Sequence, residues 1–180
     1  MFATPRRRLA VAVAAAVLAT TAGAATASPD ASAAPYCGIT WGSLPKGTSP
    51  SYLWSGGVTG TRAGQHACYD RLVVDLAPGH GRVGYSVRYV GTVTDPGSGL
   101  PVPVAGGARL QVTVDAPSTL RTTTRTFPGW GAFRQLTTIG SFEGYTDYGL
   151  GVRARLPMRA FVLTDADGGR RLVVDVAHHW

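Results

Sequence analysis

Beyond residue 65, hydrophobic and polar positions trade places every second residue over most of the chain. Val83, Tyr85, Val87, Tyr89 and Val93 alternate with Gly84, Ser86, Arg88, Val90 and Thr92. Leu110, Val112 and Val114 alternate with Gln111 and Thr113. Thr146, Tyr148, Leu150, Val152, Ala154 and Leu156 share one parity, with Glu143, Tyr145, Asp147, Arg153 and Arg155 on the other. A period of two is the mark of a strand with one buried face. The phrase Arg-Leu-Val-Val-Asp occurs twice, at 71–75 and 171–175. Each copy is too short for a helix and reads as a buried strand with solvated ends. Residues 159–164 form a further strand, joined to the second copy by the hairpin turn Asp165-Ala166-Asp167-Gly168-Gly169. Val102 and Val104 fit a short edge strand, because Pro101 and Pro103 lack ladder donors. Residues 116–131 have no period and predict a long exposed loop. About eight strands and no amphipathic helix of useful length imply an all-β antiparallel sandwich or barrel.

The segment 36–64 lacks such alternation. Trp41, Leu44, Tyr52, Leu53 and Trp54 are spaced by Gly, Ser and Pro, which predicts a loop-rich extension pinning aromatics on the domain formed by residues 65–180. Ahead of it, residues 28–35 are Ala, Ser, Pro and Asp and predict a flexible tail. Residues 1–27 have the pattern of a secretory signal: Arg6, Arg7 and Arg8, an apolar run from Leu9 to Ala19, and a small-x-small site at Ala25-Thr26-Ala27 or, alternatively, at Ala31-Ser32-Ala33. That run is too short to cross a bilayer, which takes about 20 residues. The expected product is therefore exported, secreted or wall-associated, with no integral membrane segment after cleavage. Removing three arginines lowers the formal charge from +7 to +4. A mildly basic protein outside the cell favours anionic wall polymers over nucleic acid. Export also places Cys37 and Cys68, the two cysteines, in an oxidising setting, where a pair normally closes. A loop of about 32 residues closed in this way contributes roughly 3 to 4 kcal/mol in the chain-entropy account.

Several ordered motifs resemble the AMIN-like domain family of exported actinobacterial proteins. They are Cys68-Tyr69-Asp70-Arg71-Leu72-Val73-Val74-Asp75, Gly84-Tyr85-Ser86-Val87-Arg88-Tyr89-Val90, Gly106-Gly107-Ala108-Arg109-Leu110, Gly140-Ser141-Phe142-Glu143-Gly144, Gly149-Leu150-Gly151-Val152-Arg153 and the stretch 171–178. The resemblance covers about residues 66–180 and implies a sandwich of two small, mainly antiparallel sheets with internal pseudo-symmetry, in agreement with the repeated phrase. It also implies a non-catalytic envelope-binding module whose targets are peptidoglycan or an associated wall polymer. The amidase arrangement would place a catalytic domain after this module, and the sequence shows none. An alternative is a sandwich that holds an envelope protein partner.

Catalytic signatures are missing. Neither Gly-x-Ser-x-Gly nor His-Glu-x-x-His occurs. His178 and His179 are adjacent and would point to opposite faces of a strand. The least bad ligands for a metal-dependent wall hydrolase are His66, His80 and Asp175. Glu143 and Asp147, four residues apart on one strand, would stand about 13 Å apart, beyond the ~6.5 to 9.5 Å of an inverting glycosidase pair. Gly149-x-Gly151-x-x-Ala154 is a loose dinucleotide pattern inside a strand with no helix after it. No catalytic residue, metal or cofactor is expected. The candidate ligand face is the polar parity of 141–155. There Glu143, Tyr145, Arg153 and Arg155 lie opposite the core, and Gly140, Gly144, Gly149 and Gly151 permit close approach. The competing expectation is a solvated face with cross-strand ion pairs.

Overall fold

The alternating segments become strands, and the described residues are all-β. The computed structural model describes residues 33–48 and 52–180. The signal sequence expected at 1–27, and the tail up to residue 32, lie outside the described residues. The strands are β1 (Ala33–Tyr36), β2 (Ile39–Trp41), β3 (Lys46–Gly47), β4 (Val58–Gln65), β5 (Tyr69–Leu76), β6 (Tyr85–Val90), β7 (Val93–Thr94), β8 (Pro101–Val102), β9 (Ala108–Val114), β10 (Thr123–Thr126), β11 (Phe133–Phe142), β12 (Tyr145–Val152), β13 (Met158–Thr164) and β14 (Arg170–Ala177). A six-stranded sheet runs β10-β11-β12-β9-β6-β3 and a four-stranded sheet runs β13-β14-β5-β4. Two small ladders, β1-β2 and β7-β8, stand apart from them. Every ladder is antiparallel.

The core lies between the two larger sheets. Leu72, Val74, Leu172 and Val174 come from one, and Val87, Leu110, Val112, Leu150 and Val152 from the other, all in a single buried cluster. Each such side chain contributes about 1.5 to 3 kcal/mol on burial, so the parity of these strands is firmly specified. Only the second valine of each repeated phrase joins this cluster. Val73 and Val173 are buried on the opposite face of their sheet.

The two copies of the phrase pair with each other. In the β5–β14 ladder Arg71 is opposite Asp175, Val73 opposite Val173 and Asp75 opposite Arg171, a local two-fold centred on the valines. One end makes a cross-strand ion pair. Arg71 Nε and Nη2 donate to the two oxygens of fully buried Asp175 at 2.6 and 2.8 Å, and Arg159 Nε adds a third bond at 2.7 Å. At the other end Asp75 accepts from Arg62, and Arg171 pairs with Asp165.

Three segments differ from the sequence expectation. The supposed loop 36–64 contains β4, an edge strand whose Gly60, Gly64 and Thr residues hide its alternation. The supposed loop 116–131 contains β10, a wholly exposed edge strand of Thr and Arg with no apolar face to announce it. Ala33–Tyr36, partly within the expected tail, pairs with β2. A disulfide joins Cys37 to Cys68 with a Cα separation of 6.4 Å, tying the β1-β2 ladder to the start of β5. Trp41 and Trp54 are buried, and their indole N–H groups donate to the carbonyls of Tyr36 and Ala77. They are packing residues, whereas Leu44 and Leu53 remain exposed.

Candidate functional site

The outer face of the six-stranded sheet is divided in two. Antiparallel register sets Ser86, Thr113 and Asp147 in one row across β6, β9 and β12, and Arg88, Gln111 and Gly149 in the next. Beyond Gly149 the segment carrying β7 and β8 lies over the sheet. A Cβ on Gly149 would sit 2.6 Å from Val104 Cγ2 and 3.1 Å from Val93 Cγ1, and one on Gly151 would collide with the carbonyl of Ala105. Val93, Val104 and Ile139 form a second small core there. Those glycines therefore admit the chain's own flap and not a ligand.

The uncovered half of the face is a groove. Two adjoining depressions, of about 270 and 380 Å³, share Arg88, Thr113 and Tyr145. The first is also lined by Tyr85 and Asp115, and the second by Phe142, Glu143 and Asp147. Asp147 is buried and accepts from Thr113 Oγ1 at 2.7 Å and Gln111 Nε2 at 3.1 Å. Burial raises its pKa, against those two hydrogen bonds, which lower it. Asp115 follows β9 and is also buried. Its close approach to the backbone depends on Gly84, where any Cβ would strike the carboxylate. Burial, and then the charge of Asp147, push Asp115 up to about 6. The site thus holds two desolvated carboxyls beside an exposed guanidinium, with the Tyr145 ring at its rim, whereas the ring of Tyr85 is turned in between the sheets, its Oη donating to Ala160 O at 3.0 Å. Such groups accept hydrogen bonds from hydroxyl or ammonium donors, while flat rings pack on apolar ring faces.

Of the four residues expected to form the site, the structure brings two together. Glu143 and Tyr145 stand at the rim of the groove. Arg153 and Arg155 lie past the far end of β12, roughly 26 Å away for eight strand residues. Both are engaged in holding the fold. Arg153 donates to the carbonyls of Gly131 and His178 at 3.1 and 2.5 Å, and Arg155 sits 4.8 Å from the Tyr89 ring and donates to Ser43 O. The expectation of a continuous strand through 141–155 fails at two points. Glu143 and Gly144 form the β11–β12 turn, and the chain leaves the sheet after Val152. Arg88, Thr113, Asp115 and Asp147 were not singled out as one site. Their outward parity is readable, but which strands are neighbours is not.

The alternative metal set does not assemble. Asp175 is saturated by two guanidiniums, and His66 stacks on Tyr69 at 4.5 Å. Among the described residues no group of three His, Cys, Asp or Glu side chains is placed to hold a metal ion.

A family model for the AMIN-like domain matches residues 56–178. The chain belongs to the AMIN-like domain family. No curated protein and no solved structure matches it. The AMIN-like match begins two residues before β4, ahead of the boundary expected at 65, so the glycine-rich edge strand is part of the domain. It also takes in every groove residue named above. AMIN domains are cell-wall-related, non-catalytic binding modules, and AMIN-like domains occur in extracytoplasmic proteins.

Proposed function

We propose that this AMIN-like domain is an exported, non-catalytic module that binds peptidoglycan in the groove between Asp115 and Phe142. The observation that supports this reading is the pair of buried carboxyls, Asp115 and Asp147, framed by Thr113, Tyr145 and Arg88 on an otherwise covered sheet face. Peptidoglycan offers matching chemistry. Its sugar hydroxyls and free amines donate to carboxylates, its ring faces pack on tyrosine, and its stem-peptide carboxylates suit a guanidinium fork. The depressions adjoin on one sheet face, as a chain-like ligand of a few sugar or peptide units requires.

Co-sedimentation with purified sacculi tests the reading. Tyr145→Ala, Asp147→Asn and Arg88→Gln each remove one contact and should weaken binding several-fold, while Arg153→Gln should leave the groove intact. Each variant is first shown to unfold cooperatively. Full retention of binding by all three groove variants, or capture of an envelope protein with no affinity for sacculi, would overturn it.

A further inference from the structure

A second cleft, which meets the groove at Thr48 and Tyr85, opens between the two sheets. It has a volume of about 410 Å³ and is lined by Tyr52, Arg82, Tyr85, Phe161, Val162 and Arg170. Arg82 precedes β6 of the six-stranded sheet and Arg170 begins β14 of the four-stranded sheet, so the two halves of the sandwich each supply one guanidinium. Both are held by one nitrogen only. Arg82 Nη1 donates to Tyr52 Oη at 2.6 Å, with the guanidinium carbon 5.0 Å from the tyrosine ring centre. Arg170 Nη1 donates to the carbonyls of Gly168 and Gly169, both at 2.9 Å, with its guanidinium 4.8 Å from the ring centre of buried Trp54.

Elsewhere in the protein an arginine that meets a carboxylate uses its Nε and Nη2 edge. Arg62 does so on Asp75 and Arg71 on Asp175. In Arg82 and Arg170 that same edge has no acceptor, and neither side chain has an ion-pair partner among the described residues. Two oriented, unneutralised forks over an apolar floor are suited to oxyanions. One carboxylate is satisfied by a single fork. A phosphate group offers oxygens in several directions, and a chain of phosphodiesters can place one anion on each fork, with its carbon units on Val83 and Val162.

We propose that this cleft binds a phosphodiester polymer of the polyol-phosphate kind. The test uses the protein with a synthetic glycerol-phosphate hexamer, inorganic phosphate, polygalacturonate and phosphatidylglycerol vesicles as probes in titration calorimetry. The hexamer should bind more tightly than the other three. Arg82→Gln and Arg170→Gln should each weaken it on the order of tenfold, as loss of a charge-assisted fork implies. Arg82→Lys should weaken it nearly as much, because the charge stays and the fork is lost. Arg121→Gln, an equal change of charge at an exposed position elsewhere, should be neutral, and groove variants such as Tyr145→Ala should bind the hexamer normally. Four results would overturn the proposal: equal loss in Arg121→Gln, undiminished binding by the folded Arg82→Gln/Arg170→Gln variant, polygalacturonate or vesicles preferred to the hexamer, or inorganic phosphate binding as tightly as the hexamer.

Discussion

Glu143 is the only glutamate, and it stands where a glutamate is out of place. With φ of 50° it begins a two-residue hairpin turn completed by Gly144 at 86°. Both central positions of such a turn have positive φ, and asparagine or glycine normally fills the first. A side chain held there costs on the order of 1 kcal/mol. Glu143→Asn should therefore keep or raise the thermal midpoint while lowering sacculus affinity. A lower midpoint with unchanged affinity would assign Glu143 to the fold and not to the ligand. Asp115 supports a prediction of different form. It titrates at about 6 in the fold against a reference value of 3.8. It therefore binds its proton more tightly folded than unfolded. Its contribution to stability is present below about pH 3.8 and is lost as the pH rises through 6. Thermal midpoints at pH 4 and pH 7 should show a larger fall for the parent than for Asp115→Asn. Parallel curves would show that the carboxyl is not desolvated. In the sequence, Glu143 and Tyr145 were visible as polar residues opposite an apolar parity. Asp115 was not, because a carboxylate that ends a strand looks like any turn residue until Gly84 is found against it.

At the scale of elements, legibility followed burial. β5, β9, β12 and β14 each set alternating apolar side chains against the opposite sheet, and their periods were plain. β4 and β10 are edges, satisfied on one side only, and their glycines and threonines carry little pattern. The assignment of β5 and β14 to the centre of their sheet yields a direct measurement. Val74 and Val174 are fully buried, so Val74→Asp or Val174→Asp places a charge without a partner in the core and should cost several kcal/mol. Urea unfolding should show a large drop in midpoint for both. Val73→Thr, on the opposite face, should be milder, and equal losses at 73 and 74 would contradict the parity. The flap that carries β7 and β8 was half legible. Its prolines marked an edge, but nothing local showed that Gly149 and Gly151 clear space for it.

For the whole molecule, an all-β sandwich was readable because parity reports how many faces are buried, and strand order was not, because parity says nothing about neighbours. That gap explains the divided site: Tyr145 and Arg153 share a parity and lie at opposite ends of β12. The self-pairing of Arg-Leu-Val-Val-Asp has a consequence for the chain before it folds. An antiparallel pair of this phrase sets arginine against aspartate whichever molecule provides the second strand. Within one chain the contact joins residues 104 apart, a slow closure that a strand from a second unfolded chain can pre-empt when protein is concentrated. Recovery of native protein on dilution from denaturant should accordingly fall as concentration rises. Exchanging both ion pairs at that end, Asp75→Arg with Arg62→Asp and Arg171→Asp with Asp165→Arg, leaves β5 with arginine at both ends and β14 with aspartate at both. The intramolecular ladder then stays complementary, while β5 against another β5 opposes like charges. That variant should refold in better yield at high concentration, and an unchanged concentration dependence would show that the repeated phrase does not misdirect the chain.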